Sequence, residues 1–189
     1  MIRIGIVGDI GSGKSFVANK FGYPVFDADA EVDRLYKSDR DCFRKLNKIL
    51  PKYINSFPIL KKSISLAILK NDFNLKKIIK IVHPIVRKKM SKFLIKNKKK
   101  KIIILDIPLL LENKMYKKSD IIVFVESKKN KILKRLKKRK NYNSKLMLKF
   151  KKIQLPIEYK KKKSQFIIRN NFNNNFLKED INRIIERIL

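Results

Sequence analysis

Residues 8–15 read GDIGSGKS and follow directly on the run IRIGIV at positions 2–7. The spacing G-x-x-x-x-G-K-S is met by Gly8, Gly13, Lys14 and Ser15, and few features constrain a fold as tightly. Glycines let the backbone turn until successive N–H groups point inward at a phosphate, and the following helix adds its positive end to that concavity. Lys14 can then reach the β- and γ-phosphates, and the Ser15 hydroxyl can coordinate Mg²⁺. The required context is a buried strand before the loop and a helix after it. Both are legible here: 2–7 reads as apolar on both faces, and KSFVANKF at 14–21 has helical spacing and stops at Gly22. The bland alternative is a glycine-rich turn that holds nothing.

The same rhythm continues. YPVF at 23–26 reads as a short strand, and from Ala28 the pattern turns helical. Residues 40–97 read mostly as helix, with breaks at Pro51, Pro58 and Asn71–Asn74. KIIILD at 101–106 and DIIVFV at 120–125 are buried strands, and 128–139 is a basic helix ended by the turn KNYNS at 140–144. A helix over 145–154 stops near Pro156, QFIIRN at 165–170 is a last strand, NFNNN at 171–175 is a loop, and 176–188 closes the chain as a helix. Strands alternating with helices predict an α/β fold of the P-loop NTPase type. Three layers are expected, around a mostly parallel five-stranded sheet.

The chain has 189 residues, 44% of them apolar, enough for one domain with a proper core. Lone Cys42 cannot form an internal disulfide, and no Cys/His cluster suggests zinc. No segment approaches the ~20 apolar residues of a membrane span, and the N-terminus reads as a working loop rather than a signal peptide. A cytoplasmic protein without a membrane is expected. The net charge, 49 − 16 = +33, attracts polyanions. The same lysines, spread along the chain beside many Asn and Ile, also follow from an A/T-rich coding sequence.

A phosphate loop defines a nucleotide site and not a reaction. Its start at residue 8 of so short a chain favours a small-molecule kinase, and no guanine-reading NKxD is present. The acceptor side is read from carboxylates at strand ends, where α/β sheets bind ligands. FDADAEVD supplies Asp27 and Asp29 after the second strand. Phosphoryl transfer to an alcohol needs a carboxylate that orients the hydroxyl and takes its proton late. One aspartate can do that while the other binds metal-held water or caps the helix; both being caps is the alternative. Asp106 ends the strand IIILD, where a metal-facing carboxylate belongs, with Glu112 six residues on, beyond Pro108. Capping is again the alternative. RLKKR puts Arg135 and Arg139 four residues apart, either on the nucleotide's phosphates or on a solvated face. His83, the one histidine, is open between a structural and a functional role.

In this order the residues resemble the dephospho-coenzyme A kinase family along essentially the whole chain. The resemblance is carried by IGIVGDIGSGKS, PVFDADAEVDRL, IVHPIVRKKM, DIPLLLE and RLKKR, with Gln154 and Asn170 at polar positions late in the pattern. It implies ATP-dependent phosphorylation of the ribose 3′-hydroxyl of dephospho-CoA, with Mg²⁺. It makes Asp29 the base, with Lys14 and Arg135 as catalytic partners and Asp27 as a supporting carboxylate. Gly8, Gly11, Ser12, Gly13, Lys14, Ser15 and Phe16 would hold ATP with Arg139, and Asn170 would lie near the adenine. Asp27, His83, Pro108 and Glu112 would face the acceptor, and Ser15 and Asp106 the metal, directly or through water. The implied organisation is one kinase domain with a core of 1–39, 98–131 and 164–189. A helical acceptor region covers about 40–97 and a lid about 132–163. A monomer is expected, with ATP and dephospho-CoA as partners and no specific nucleic acid.

The sequence departs from the family pattern at Asp9, where a second glycine is usual. It departs again at Leu60-Lys61, at Ser164-Gln165 and in the glycine-free stretch 51–60. Two other functions stay open at this level. One is a kinase of another small acceptor, such as a nucleoside monophosphate or a sugar acid. The other is a basic nucleic-acid-binding protein with a vestigial nucleotide site.

Overall fold

The computed structural model describes residues 1–139, 142–171 and 174–189. The chain runs β1 (Ile2–Gly8), α1 (Lys14–Lys20), β2 (Val25–Asp27), α2 (Ala28–Ser38), α3 (Arg40–Ile49), α4 (Lys61–Lys70) and α5 (Asp72–Lys96). It continues through β3 (Ile102–Asp106), β4 (Ile121–Glu126), α6 (Lys129–Lys137), α7 (Ser144–Lys152), α8 (Ile157–Lys162), β5 (Phe166–Arg169) and α9 (Asn174–Ile188). The breaks at Pro51 and Pro58 fall as expected; the one expected over Asn71–Asn74 is confined to Asn71, since α5 resumes at Asp72, and the helix continues through Pro84. The short helix α8, behind Pro156, was not legible in the pattern. Within the expected turns at 140–144 and 171–175, residues 140–141 and 172–173 lie outside the described residues.

The strands form one parallel five-stranded sheet in the order β2-β3-β1-β4-β5. The central strands β1, β3 and β4 are buried on both faces along most of their length. Ile4, Ile6, Ile102, Ile104, Val123, Val125 and Ile168 are fully buried with Val17 and Ala18 of α1, and with them lie Leu177 and Ile181 of α9. The strand β1 is not wholly apolar. Arg3 is buried and its guanidinium meets the Asp120 carboxylate at 2.8 Å, which keeps a charge tolerable at that depth.

The chain divides into two compact units. One holds the sheet and comprises Met1–Asp27, Asn97–Tyr142 and Ile153–Leu189. The other is helical and comprises Ala28–Lys96 and Asn143–Lys152. Its interior is built from Leu35, Cys42, Leu46, Ile54, Ala67, Ile68 and Val82, all nearly inaccessible. Asp39 caps α3 by accepting the Cys42 N–H at 2.8 Å. Lys149 of α7 is ion-paired with Asp72 at the start of α5.

Candidate active site

The loop between β1 and α1 has the backbone its glycines predict. Gly11 and Gly13 hold φ of 84° and 90°, a region L side chains rarely adopt. Gly11 also lies under α6: a Cβ there would stand 2.9 Å from Leu136 and 3.0 Å from Ile132. A glycine at this position therefore lets α6 pack on the phosphate loop. Arg135 is exposed on that helix. The helix ends at Lys137, so Arg139 lies past its C-cap rather than one turn along the same face.

Lys14 Nζ donates to the backbone carbonyl of Asp9 at 2.9 Å and lies 3.4 Å from that of Gly8. The ammonium is thus held over the loop's own rim. The Asp9 carboxylate is engaged locally, accepting the Ile10 N–H at 2.7 Å. Phe16 is half-buried, with the Lys20 ammonium 5.5 Å from its ring centre.

Two carboxylates end neighbouring strands of the sheet. Asp27 and Asp106 end β2 and β3 and are register partners. Asp106 is buried, and its carboxyl titrates above the ordinary range because burial penalises the anion. The negative charge of Asp27 adds to that, while a hydrogen bond with Ser15 and the charge of Lys14 pull the other way. Lys14, Ser15, Asp27 and Asp106 therefore share one edge of the sheet. The oxygens of Ser15, Asp27 and Asp106 are hard donors of the kind Mg²⁺ prefers, and an anion that burial and a like charge disfavour gains from a cation beside it.

Asn170 is buried past the end of β5, and its amide donates to the Ser12 carbonyl at 2.9 Å. Ser127, which the sequence did not single out, lies just past β4 with its hydroxyl 2.9 Å from the same carbonyl. Its signal in the sequence is its place immediately beyond the end of a buried strand, on the edge where ligands bind.

Pro108 and Glu112 lie on the turns after β3. Glu112 is tied within the core unit, accepting the Leu155 N–H at 3.0 Å and pairing with the buried Lys160 ammonium at 2.8 Å. Gln154 accepts from the same ammonium at 3.1 Å. Lys160 was also missed: in the run KKKK it looks like every other surface lysine.

Asp29 and His83 belong to the helical unit. Asp29 is exposed in the first turn of α2. His83 is half-buried in α5, and burial, with the charge of Arg87, pushes its imidazole below the usual value. Among the described residues no group of three or more metal-ligating side chains occurs, and no helix is long and apolar enough to cross a membrane.

Comparison with known proteins bears on the family and the fold. A family model described as dephospho-CoA kinase matches residues 2–175. A dephospho-CoA kinase of Wolbachia pipientis wMel is 37% identical over 190 residues, covering 98% of this chain and 97% of that protein. A crystal structure from Thermus thermophilus matches with a TM-score of 0.78 at 26% identity, over 99% of this chain and 95% of that one. The dephospho-CoA kinase of Campylobacter jejuni shares the fold, with a TM-score of 0.64 at 22% identity over 98% and 96% of the two chains. The chain belongs to the dephospho-CoA kinase family, the kinases of the last step of coenzyme A biosynthesis.

Proposed function

We propose that this chain transfers the γ-phosphoryl group of ATP to the ribose 3′-hydroxyl of dephospho-CoA, giving coenzyme A and ADP. The observation that carries the proposal is the shared edge where Lys14, Ser15, Asp27 and Asp106 meet at the phosphate loop, in a chain whose family model covers nearly its whole length. In this reading the amides of residues 11–16 bind the β-phosphate. Lys14 leaves the carbonyls of Gly8 and Asp9 for the β- and γ-phosphates. Arg135, with Arg139, neutralises charge on the transferred group.

Ser15 and Asp106, with Asp27 beside them, would hold Mg²⁺, which supplies charge neutralisation at the β- and γ-phosphates when bound. Asp29 orients the acceptor hydroxyl and takes its proton. The hydroxyl oxygen forms the new bond to the γ-phosphorus as the bond to the β,γ-bridging oxygen breaks, and ADP leaves with that electron pair. His83, Pro108 and Glu112 are assigned to the acceptor side, Glu112 through the turn it holds in place.

The test is an acceptor screen with Mg·ATP, read by coupled ADP release. Turnover with dephospho-CoA and little with nucleoside monophosphates or sugar acids is the expected result. Turnover with a nucleoside monophosphate and none with dephospho-CoA overturns the assignment.

A further inference from the structure

The carbonyl of Ser12, at the crest of the phosphate loop, is gripped from two strand ends. The Asn170 amide donates to it at 2.9 Å, and the Ser127 hydroxyl lies 2.9 Å away. The two residues are also tied through the main chain of Asn170, whose carbonyl shares the single proton of the Ser127 hydroxyl with that of Ser12. The Ser127 hydroxyl is 3.0 Å from the Asn170 carbonyl, and the Asn170 N–H donates to the Glu126 carbonyl at 2.8 Å, one step beyond the last β4–β5 pair. Ser12 is completely buried, and its own hydroxyl has no hydrogen-bond partner among the described residues. Its side chain therefore does not hold the loop, and the grip falls on its carbonyl.

A trans peptide makes that grip directional. The C=O of Ser12 and the N–H of Gly13 lie in one plane and point opposite ways. Fixing the carbonyl toward Ser127 and Asn170 therefore aims the Gly13 N–H away from them. Gly13, at φ 90°, lies in a region where glycine has wide freedom, so the backbone alone does not set that direction.

We infer that Ser127 and Asn170 are positioning residues of the phosphate loop, which hold the Ser12–Gly13 peptide with its N–H turned toward the phosphates of the bound nucleotide. This rests on the reading of residues 8–15 as an ATP site. It also gives Asn170 a role at the phosphates rather than at the adenine. Neither side chain touches substrate; both act through the loop.

The experiment is binding of ATP, inorganic tripolyphosphate and adenosine to the full chain, with melting curves recorded in parallel. The proteins are wild type, Ser127→Ala, Asn170→Ala and Ser127→Thr. Loss of one hydrogen bond that orients the loop is expected to weaken both ATP and tripolyphosphate about five- to tenfold. Adenosine binding is expected to stay unchanged, and Ser127→Thr, which keeps the hydroxyl, to restore polyphosphate affinity. Two results overturn the inference: Asn170→Ala weakening adenosine while sparing tripolyphosphate, which returns Asn170 to the base, or lower melting temperatures with all three affinities intact. A wild-type chain that binds neither ATP nor tripolyphosphate overturns the reading of the loop itself. A wild type that binds both, with variants that bind equally well, overturns only the inference.

Discussion

Asp27 and Asp106 oppose each other as register partners at the ends of β2 and β3, two carboxylates on the edge that carries the phosphate loop. Burial first, and then the charge of Asp27, hold the Asp106 carboxyl above its ordinary value of 3.8. An acid whose pKa is raised by folding costs nothing below its unfolded value and destabilises the fold as pH rises through the folded one. Asp106→Asn is therefore expected to raise the melting temperature of the ligand-free protein at neutral pH, by a margin that shrinks as pH falls toward 3.8. Turnover is expected to fall in the same variant. Melting curves across pH check this, and a lower melting temperature at neutral pH contradicts it.

The pair Glu112–Lys160 behaves oppositely. Its side chains are only 10% and 4% exposed, so removing one partner strands a buried charge. Glu112→Gln is expected to cost about 3 kcal/mol, a fall of about 6–12 °C in melting temperature for a chain of this size. The double variant Glu112→Gln/Lys160→Met leaves no buried charge and is expected to recover much of the loss. Calorimetry of both decides, and equal losses in the two refute the account.

Cys42 is fully buried at the start of α3. Burial, with the negative charge of Asp39, raises its thiol to about 11, against a smaller opposing effect of Lys45. The thiolate is the reactive form, so native protein is expected to resist alkylation at mildly alkaline pH and to react fully once denatured. Mass spectrometry after timed labelling reads the result; rapid labelling of the native chain is the contrary one.

Much of the sheet was legible because its strands are continuous runs of Ile, Leu, Val and Phe, the pattern left by burial on both faces. The phosphate loop was legible because only glycine meets its backbone requirements. Arg3 and Asp120 escaped because each is an isolated charge in sequence, and their pairing is made only when β1 and β4 come together. Lys160 escaped for a related reason: neighbouring lysines in KKKK are chemically identical, and only the turn of α8 buries one of them. Ser127 and Asn170 form their grip across 115 and 158 residues of separation from Ser12, beyond the reach of any local pattern. α5 runs through Pro84, inside the stretch 40–97 that the spacing reads as helix. Its flanks bury Ile78, Val82 and Val86, and that burial offsets one lost backbone hydrogen bond.

The proposed role of Asp29 as base on the acceptor hydroxyl is tested most directly by the steady-state rate of dephospho-CoA phosphorylation by wild type and Asp29→Asn, with ATP affinity measured alongside. A general base contributes roughly 10²-fold or more. The expected result is a 3′-phosphorylated product from wild type, with kcat in the variant lower by about that factor and ATP affinity nearly unchanged. A variant that turns over dephospho-CoA as fast as wild type contradicts the role given to Asp29.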